Sequence, residues 1–330
     1  MAVEMNRFFP EGALLDTPDN QRLIQSPAAL AEASMEGRGV EARAVLCDAE
    51  HNLHVEMPCM EGIIPYMEGA IGIAEGTTRD IALISRVSKP ISFLVQGFEY
   101  QPDGSRRAVL SRRAAQEKCR FEYVASLRPG DIVPARITRL ETFGAFCDIG
   151  CGLPALLPIA SISVSRLETF GAFCDIGCGL PALLPIAGIS VSRISHPSDR
   201  LLPGMDIFAV VSSLEDDRVC LSQRELLGTW MENAALFSQG ETVAGIVRSV
   251  EDYGIFVELT PNLAGLAEPR DGGKVGQHAG VYIKSILPEK MKLKLILIDA
   301  QDVPSSAPSP PRYFLTEGHI DRWVYSPPGC

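Results

Sequence analysis

The sequence predicts an all-β protein: three five-stranded barrels in tandem, joined by short linking helices. Three observations carry that prediction. Short alternating segments of strand length come in three successive runs, punctuated by Gly, Pro, Asn and Asp turns. In the first run a longer connection separates the third and fourth strand candidates, which is the layout of an OB-type barrel. The middle run is too long, and an internal repeat explains why. Arg139–Ser165 is followed at once by a second copy, Arg166–Ser192, that differs at one aligned position only, Ser161 against Gly188. The run from Pro129 to Ser222 holds 94 residues, and removing one 27-residue copy leaves 67, close to one compact barrel. A solenoid needs about three or more units that drift in sequence, so the pair is read as an in-frame duplication inside one domain.

The elements follow in chain order. Residues 1–36 form an N-terminal tail with a short helix after Ser26-Pro27, stopped near Gly37. The first barrel, 37–124, is read from strands at Val40–Cys47, Leu53–Met57 and the segment ending Gly62-Ile63-Ile64-Pro65. Ile91–Phe98 and Ala108–Ser111 complete it across the turn Gln101–Gly104. The second, 128–224, starts at Pro129-Gly130 and takes Ile132–Thr138, the duplicated hairpin (139–165 and 166–192), Ile207–Leu214 and Arg218–Ser222. A helical linker spans 225–238, with Glu225–Phe237 as its helix and Gln239-Gly240 as its stop. The third barrel, 239–302, is read from Glu241–Val250, Tyr253–Glu258, Gly265–Glu268, Ala279–Ile286 and Met291–Ile298. Residues 303–330 are a Pro-Ser-rich linker and then an aromatic tail, Tyr313–Tyr325, too hydrophobic to float free and expected to dock on a neighbouring domain or partner.

Each repeat unit reads as strand, tight turn and strand. Ile132–Thr138 runs straight into copy one, so copy one is expected to build the hairpin. Copy two is expected to be extruded between strands three and four, with the exchanged pairing close in energy.

Composition narrows the function. A net charge of −11 argues against a protein that coats nucleic acid through bulk charge, while leaving room for a local basic stripe within a Debye length of about 8–10 Å. No apolar run approaches the roughly 20 residues of a membrane span, and the start MAVEMNRFFPEG lacks a basic-then-apolar leader pattern, so a cytoplasmic chain with no membrane role is expected. Of nine cysteines, Cys147, Cys151, Cys174 and Cys178 lie in the two copies of the repeat; their spacing is not that of most zinc sites, and reduced thiols fit best. No cofactor or metal is expected. The nucleophile-elbow, phosphate-loop and HExxH motifs are absent and the five histidines are scattered, so the chain is not read as an enzyme.

The run GDIVPARITRLETFGAFCDIGCGLPALLPIA, completed by HPSDRLLPGMDIFAV and DDRVCLS, resembles the S1 RNA-binding domain family. GETVAGIVRSVEDYGIFVELTPNLAGLAE with VYIKSILPEKMKLKLILID resembles a second member, and 37–120, with EGIIP and AVLSRRAAQ, a degenerate first. Together the three are similar to short bacterial homologues of the 30S ribosomal protein S1, and the tail YFLTEGHIDRWVYSPPGC is similar to that group's C-terminus. The resemblance implies single-stranded RNA or mRNA as partner, service in translation with the small ribosomal subunit as a contact, and a monomer.

Such a barrel offers one face with aromatics on its second strand and cations nearby. Unpaired bases stack on the rings at about 1–3 kcal/mol each, and Arg and Lys take the phosphates. In the middle barrel these residues are Phe143 and Phe146, or their copies Phe170 and Phe173, with Arg218 in support. In the third they are Tyr253 and Phe256, with Lys284, Lys292 and Lys294. Residues three apart on an alternating strand cannot both point straight outward, so one ring of each pair is open to a core role. The lysines alternate with apolar residues, which one solvated strand face would also explain.

The family often carries a histidine near the end of the third strand. Here the aligned positions hold Pro158, Pro185 and Glu268, and a glutamate would repel phosphate. The first barrel has Leu53-His54-Val55 where the aromatic pair should be, but carries a basic cluster of Arg106, Arg107, Arg112, Arg113, Lys118 and Arg120 that could touch RNA or an acidic protein surface. Two other functions fit the same barrels. One is a protein-interaction scaffold with decayed RNA binding, favoured by the acidic charge and missing histidine. The other is a regulatory subunit of an RNA-processing complex.

Overall fold

The computed structural model describes residues 8–141, 144–148, 154–156, 182–215, 218–269, 273–302, 308 and 310–326. The chain is mostly β. In the first barrel β1 (Val40–Cys47), β2 (Leu53–Met57), β3 (Met60–Ile64), β4 (Pro90–Tyr100) and β5 (Arg106–Ser111) close in the order β1-β2-β3-β5-β4. The β3–β5 contact is parallel, the other pairings antiparallel. In the third barrel β12 (Thr242–Glu251), β13 (Gly254–Thr260), β14 (Leu263–Ala267), β15 (His278–Leu287) and β16 (Lys292–Gln301) close in the same order, again with one parallel contact, β14–β16. The cause is alternation. On β16 Leu293, Leu295 and Leu297 point into the barrel and the residues between them face out.

The N-terminal residues belong to the first barrel's packing. Pro18 and Pro27 each open a helix, Pro18–Gln25 and Pro27–Met35, and the side chains of Thr17 and Ser26 cap them by accepting backbone N–H bonds. Leu23, Ile24, Leu30 and Ala33 from these helices are buried with the barrel's own Val40, Val55 and Phe93.

The middle unit is a six-stranded sheet, because its third strand is in two pieces. β6 (Ile132–Glu141), β7 (Gly144–Asp148), β8 (Pro154–Leu156), β9 (Ala182–Pro185), β10 (Asp206–Glu215) and β11 (Arg218–Ser222) run in the order β6-β10-β11-β9-β7-β8, and β6 also pairs β7, so the sheet returns on itself. β8 pairs Asp148, Cys147 and Phe146 with Pro154, Ala155 and Leu156; β9 then pairs Ala145 and Gly144 with Leu184 and Pro185. Leu184 is the copy-two equivalent of Leu157, so one continuous register is assembled from both copies.

This corrects the expectation that copy one alone builds the hairpin. Copy one supplies β7 because it continues directly from β6. Copy two supplies β9, which makes the parallel contact to β11, because it continues directly into the rest of the barrel. The single difference between the copies falls next to β9. Gly188 is buried in the short helix Ile186–Ile189 and its carbonyl accepts from the Gln223 N–H at 2.7 Å; copy one has Ser161 at the aligned position. The chain between the two pieces, 157–181, lies outside the described residues.

The predicted helix Glu225–Phe237 is broken. A 3-10 turn, Arg224–Leu227, and a short helix, Trp230–Ala234, flank Gly228 at φ 82°. A Cβ at Gly228 would lie 2.7 Å from the Phe314 ring, so the glycine both turns the chain and admits the tail. Thr229 and Glu232 form a capping box that starts the second piece.

The tail docks within this chain. Phe314 N–H donates to Leu226 O, Ile132 N–H to Gly318 O and Ile320 N–H to Gly130 O. Tyr313 meets Phe208 edge-on at 5.5 Å, covering the outward faces of β6 and β10 around Ile132 and Val210. Further on, the Tyr325 hydroxyl donates to Asn262 O in the third barrel, and burial pushes its pKa up to about 12.

Candidate nucleic-acid interface

The third barrel's outer face is set by β13. Ile255 and Val257 are fully in the core, so Phe256 between them points outward, half-buried. Tyr253 sits on the turn just before the strand, which frees it from the alternation. It is 65 % exposed, and its ring meets that of Phe256 at 6.2 Å and 86°, edge to face. Both rings are therefore on the outer surface, and neither is a core residue.

The register places cations across from them. Phe256 pairs with Leu266 on β14, and Leu266 with Lys294 on β16, so ring, leucine and ammonium form one row. Lys292 and Lys294 are exposed, separated by core Leu293. Lys284 on β15 stands at the bulge beside Lys294 and contacts Glu268, Nζ to Oε1 2.8 Å. The hydrogen bond and charge of Lys284, with the charge of Lys294, hold the Glu268 carboxyl below its usual range. The sequence reading did not single out Leu266 or Tyr282. Tyr282 is 38 % exposed on the same face of β15 as Lys284, and the signal was present as its two-residue spacing from that lysine.

On the same face, two residues beyond Phe256, lies Glu258. It is buried and takes Arg248 Nε at 2.8 Å and Arg200 Nη2 at 2.6 Å. Arg200 comes from the middle unit, so this pair of guanidinium groups ties the two units together beside the aromatic row. Ser192 N–H to Pro261 O and Val191 N–H to Asn262 Oδ1 add to the tie.

In the middle unit Phe143, Phe170 and Phe173 lie outside the described residues, as do the side chains of Phe146 and Arg218. The backbone still fixes registers. Phe146 pairs with Arg139 just past a bulge in β6, as Phe256 pairs with Ser249 just past a bulge in β12. Leu183 pairs Cys220 as Leu266 pairs Lys294, so Arg218 takes the place of Lys292 and Cys220 that of Lys294.

The first barrel repeats the register with different side chains. His54 pairs with Leu46 past a bulge in β1 and so stands where Phe256 does. Its Nδ1 lies 2.8 Å from Glu61 and its Nε2 3.2 Å from Asp48; the Glu61 hydrogen bond raises its pKa against the opposing effect of burial, with Asp48 adding to the rise. The basic cluster is used internally. Arg112 is buried on Glu11 (2.8 Å), Arg113 pairs Glu68 (2.6 Å), Arg107 pairs Glu99, and Lys118 donates to Gly37 O. Arg106 lies over the Phe98 ring at 4.3 Å. Each of these five has a partner within the chain: a carboxylate, a carbonyl or a ring.

No protein-family model matches the chain. It is similar to small ribosomal subunit protein bS1 of Staphylococcus aureus, 25 % identical over 245 residues, 68 % of this chain and 55 % of that protein. It is also similar to bS1 of Leuconostoc lactis, 26 % identical over 287 residues, 82 % of this chain and 58 % of that one. The chain thus spans about half the length of the curated relatives it matches. Among solved structures, a multidomain protein with nucleic acid binding domains from Streptococcus pneumoniae aligns over 80 % of this chain and 74 % of that one, at 11 % identity and TM-score 0.23. A protein from Methanocaldococcus jannaschii aligns over 19 % of this chain and 93 % of that one, at 29 % identity and TM-score 0.18. Scores this low add nothing to the fold described above. The similarity to bS1 proteins, at about a quarter identity over two-thirds or more of the chain, supports an S1-like family for it.

Proposed function

We propose that the chain binds single-stranded RNA on the outer face of its third barrel, and that it serves translation, with mRNA as ligand and the small ribosomal subunit as a contact. The observation that carries this reading is the Tyr253–Phe256 pair, edge to face on the surface, in one row with Leu266 and Lys294 and flanked by Lys284 and Lys292. The two rings pack on each other and still leave Tyr253 65 % exposed, and an unpaired base gains about 1–3 kcal/mol by stacking on such a ring. Exposed lysines beside them supply phosphate contacts that release counterions. In the middle unit Phe146 and Arg218 take the same places by register, and the repeat sequence offers Phe143, Phe170 and Phe173 for the same role. The similarity to bS1 proteins supports RNA binding at the level of the family and motivates the ribosomal contact.

The test is a fluorescence-anisotropy titration of the intact chain with single-stranded RNA at two salt concentrations. Tyr253→Ala with Phe256→Ala should weaken binding by on the order of 2–4 kcal/mol while leaving the unfolding transition in place. A folded double variant that binds as the wild type does would sink the proposal.

A further inference from the structure

The end of β14 carries a feature that phosphate binding does not use. Glu268 follows directly on that strand, one step past the Ile255–Ala267 pair, and so comes level with Gly254, between the two rings in sequence. Gly254 has φ 155°, and a Cβ there would lie 2.5 Å from Ala267 O and 2.8 Å from Leu266 Cδ1; the position is kept bare. A carboxylate thus stands at the edge of the stacking platform. It is 73 % exposed, and its partner, the Lys284 ammonium 2.8 Å away, is 51 % exposed. An acid at this place is unfavourable for phosphate. It is well suited to the edge of a base that has stacked on Tyr253 or Phe256, because an ionised carboxylate is an acceptor with two oxygens and an ammonium is a donor only.

We propose, building on the RNA-binding reading above, that Glu268 and Lys284 read the Watson–Crick edge of the stacked base and select guanine. Guanine alone presents two adjacent donors, N1–H and the N2 amino group, to meet both carboxylate oxygens, and beside them an acceptor, O6, to meet the Lys284 ammonium. Uracil offers one donor between two carbonyl oxygens that would face the carboxylate. Adenine and cytosine each offer an amino group next to an acceptor nitrogen that it would repel. The lysine does two jobs: it holds the carboxylate in place by a hydrogen bond in the free protein and passes to O6 when the base arrives. Lys294, in the row with Phe256 and close enough to act on the same carboxylate, remains for the phosphate.

The experiment uses the intact chain and short labelled oligouridines that carry one central guanosine, inosine or adenosine, or no substitution. The guanosine oligomer should bind about tenfold more tightly than plain oligouridine, and inosine, which lacks the N2 amino group, should fall between them. Glu268→Gln replaces one acceptor oxygen by a donor. It should bring the four oligomers to within about twofold of one another, while binding plain oligouridine at least as well as the wild type does. Equal binding of all four by the wild type, or the same guanosine preference in Glu268→Gln, would overturn the base-reading role and leave RNA binding standing. Failure of the wild type to bind any of the four would overturn the RNA-binding reading itself.

Discussion

The first and third barrels have the same strand order, the same single parallel contact and the same bulge opposite the second strand, yet their equivalent faces are chemically opposed. Where the third has Phe256, the first has His54 between Glu61 and Asp48; where the third has Tyr253 at the turn, the first has His51, packed 5.8 Å from the Tyr66 ring and 3.7 Å from Asp80. Lys292 and Lys294 correspond by register to Arg107, which is tied to Glu99, and to Val109. The fold sets where side chains stand, and the neutralisation of charge decides what a face can hold. In the first barrel the cations hold the structure together. In the third, Lys292 and Lys294 are exposed on the face, Lys284 contacts Glu268 and Arg248 is held by Glu258.

The contrast can be broken or sharpened by substitution. The largest effect should come from Arg112→Ala, which removes one of the two guanidinium groups paired with buried Glu11 and should destabilise the first barrel by about 3–5 kcal/mol in urea denaturation. RNA affinity of the folded fraction should stay unchanged. The same cluster gives a pH signature. Burial alone would raise the Glu11 pKa, but Arg112 and Arg86 more than reverse it and hold the carboxyl below its ordinary 4.5. Its contribution is therefore present in full above about pH 4.5 and lost as pH falls through the lower folded value. Acid denaturation in Glu11→Gln should be less steep in that window; an unchanged profile would count against the ion cluster.

Next in size is removal of 157–183. This joins Leu156 to Leu184 in the register that β7 already imposes, and it keeps Gly188 at its buried seat. The loop-closure penalty relieved is roughly 2–3 kcal/mol, so the thermal midpoint should rise. Loss of folding would show that the 27 residues removed are needed for the fold. The smallest effect separates the two basic faces. Lys292→Ala should flatten the dependence of RNA affinity on salt by about one phosphate, whereas Arg107→Ala should leave it unaltered. Equal slopes for the two variants would erase the distinction between the barrels.

Much of the third barrel is legible in the sequence. Lys292 to Leu295 alternates in sequence and burial continues that period through the exposed Ile296 and Ile298, and Tyr253-Gly254-Ile255-Phe256 precedes a buried Val257, so the strands and the first outward positions follow from period two. Other features depend on information the local sequence does not carry. Which copy supplies which strand is one, because identical segments have identical propensities and only connectivity and Gly188 separate them. The partnership of Glu11 with Arg112, 101 residues away, is another, since nothing near either residue announces it. The equivalence of His54 to Phe256 is visible only once the bulges align the strands. The break at Gly228 had a local signal in the glycine itself, but the reason for it, the Phe314 ring, lies in the tail.

The central claim, that RNA lies on the third barrel's aromatic face and not on its counterpart in the first, is tested most directly by photo-crosslinking. Single-stranded RNA carrying a photoreactive pyrimidine would be irradiated with the intact chain and the modified peptides mapped. The account predicts adducts on Tyr253 and Phe256, with none on His51 or His54. Crosslinks concentrated on residues 40–64, with the Tyr253–Phe256 peptide unmodified, would contradict it.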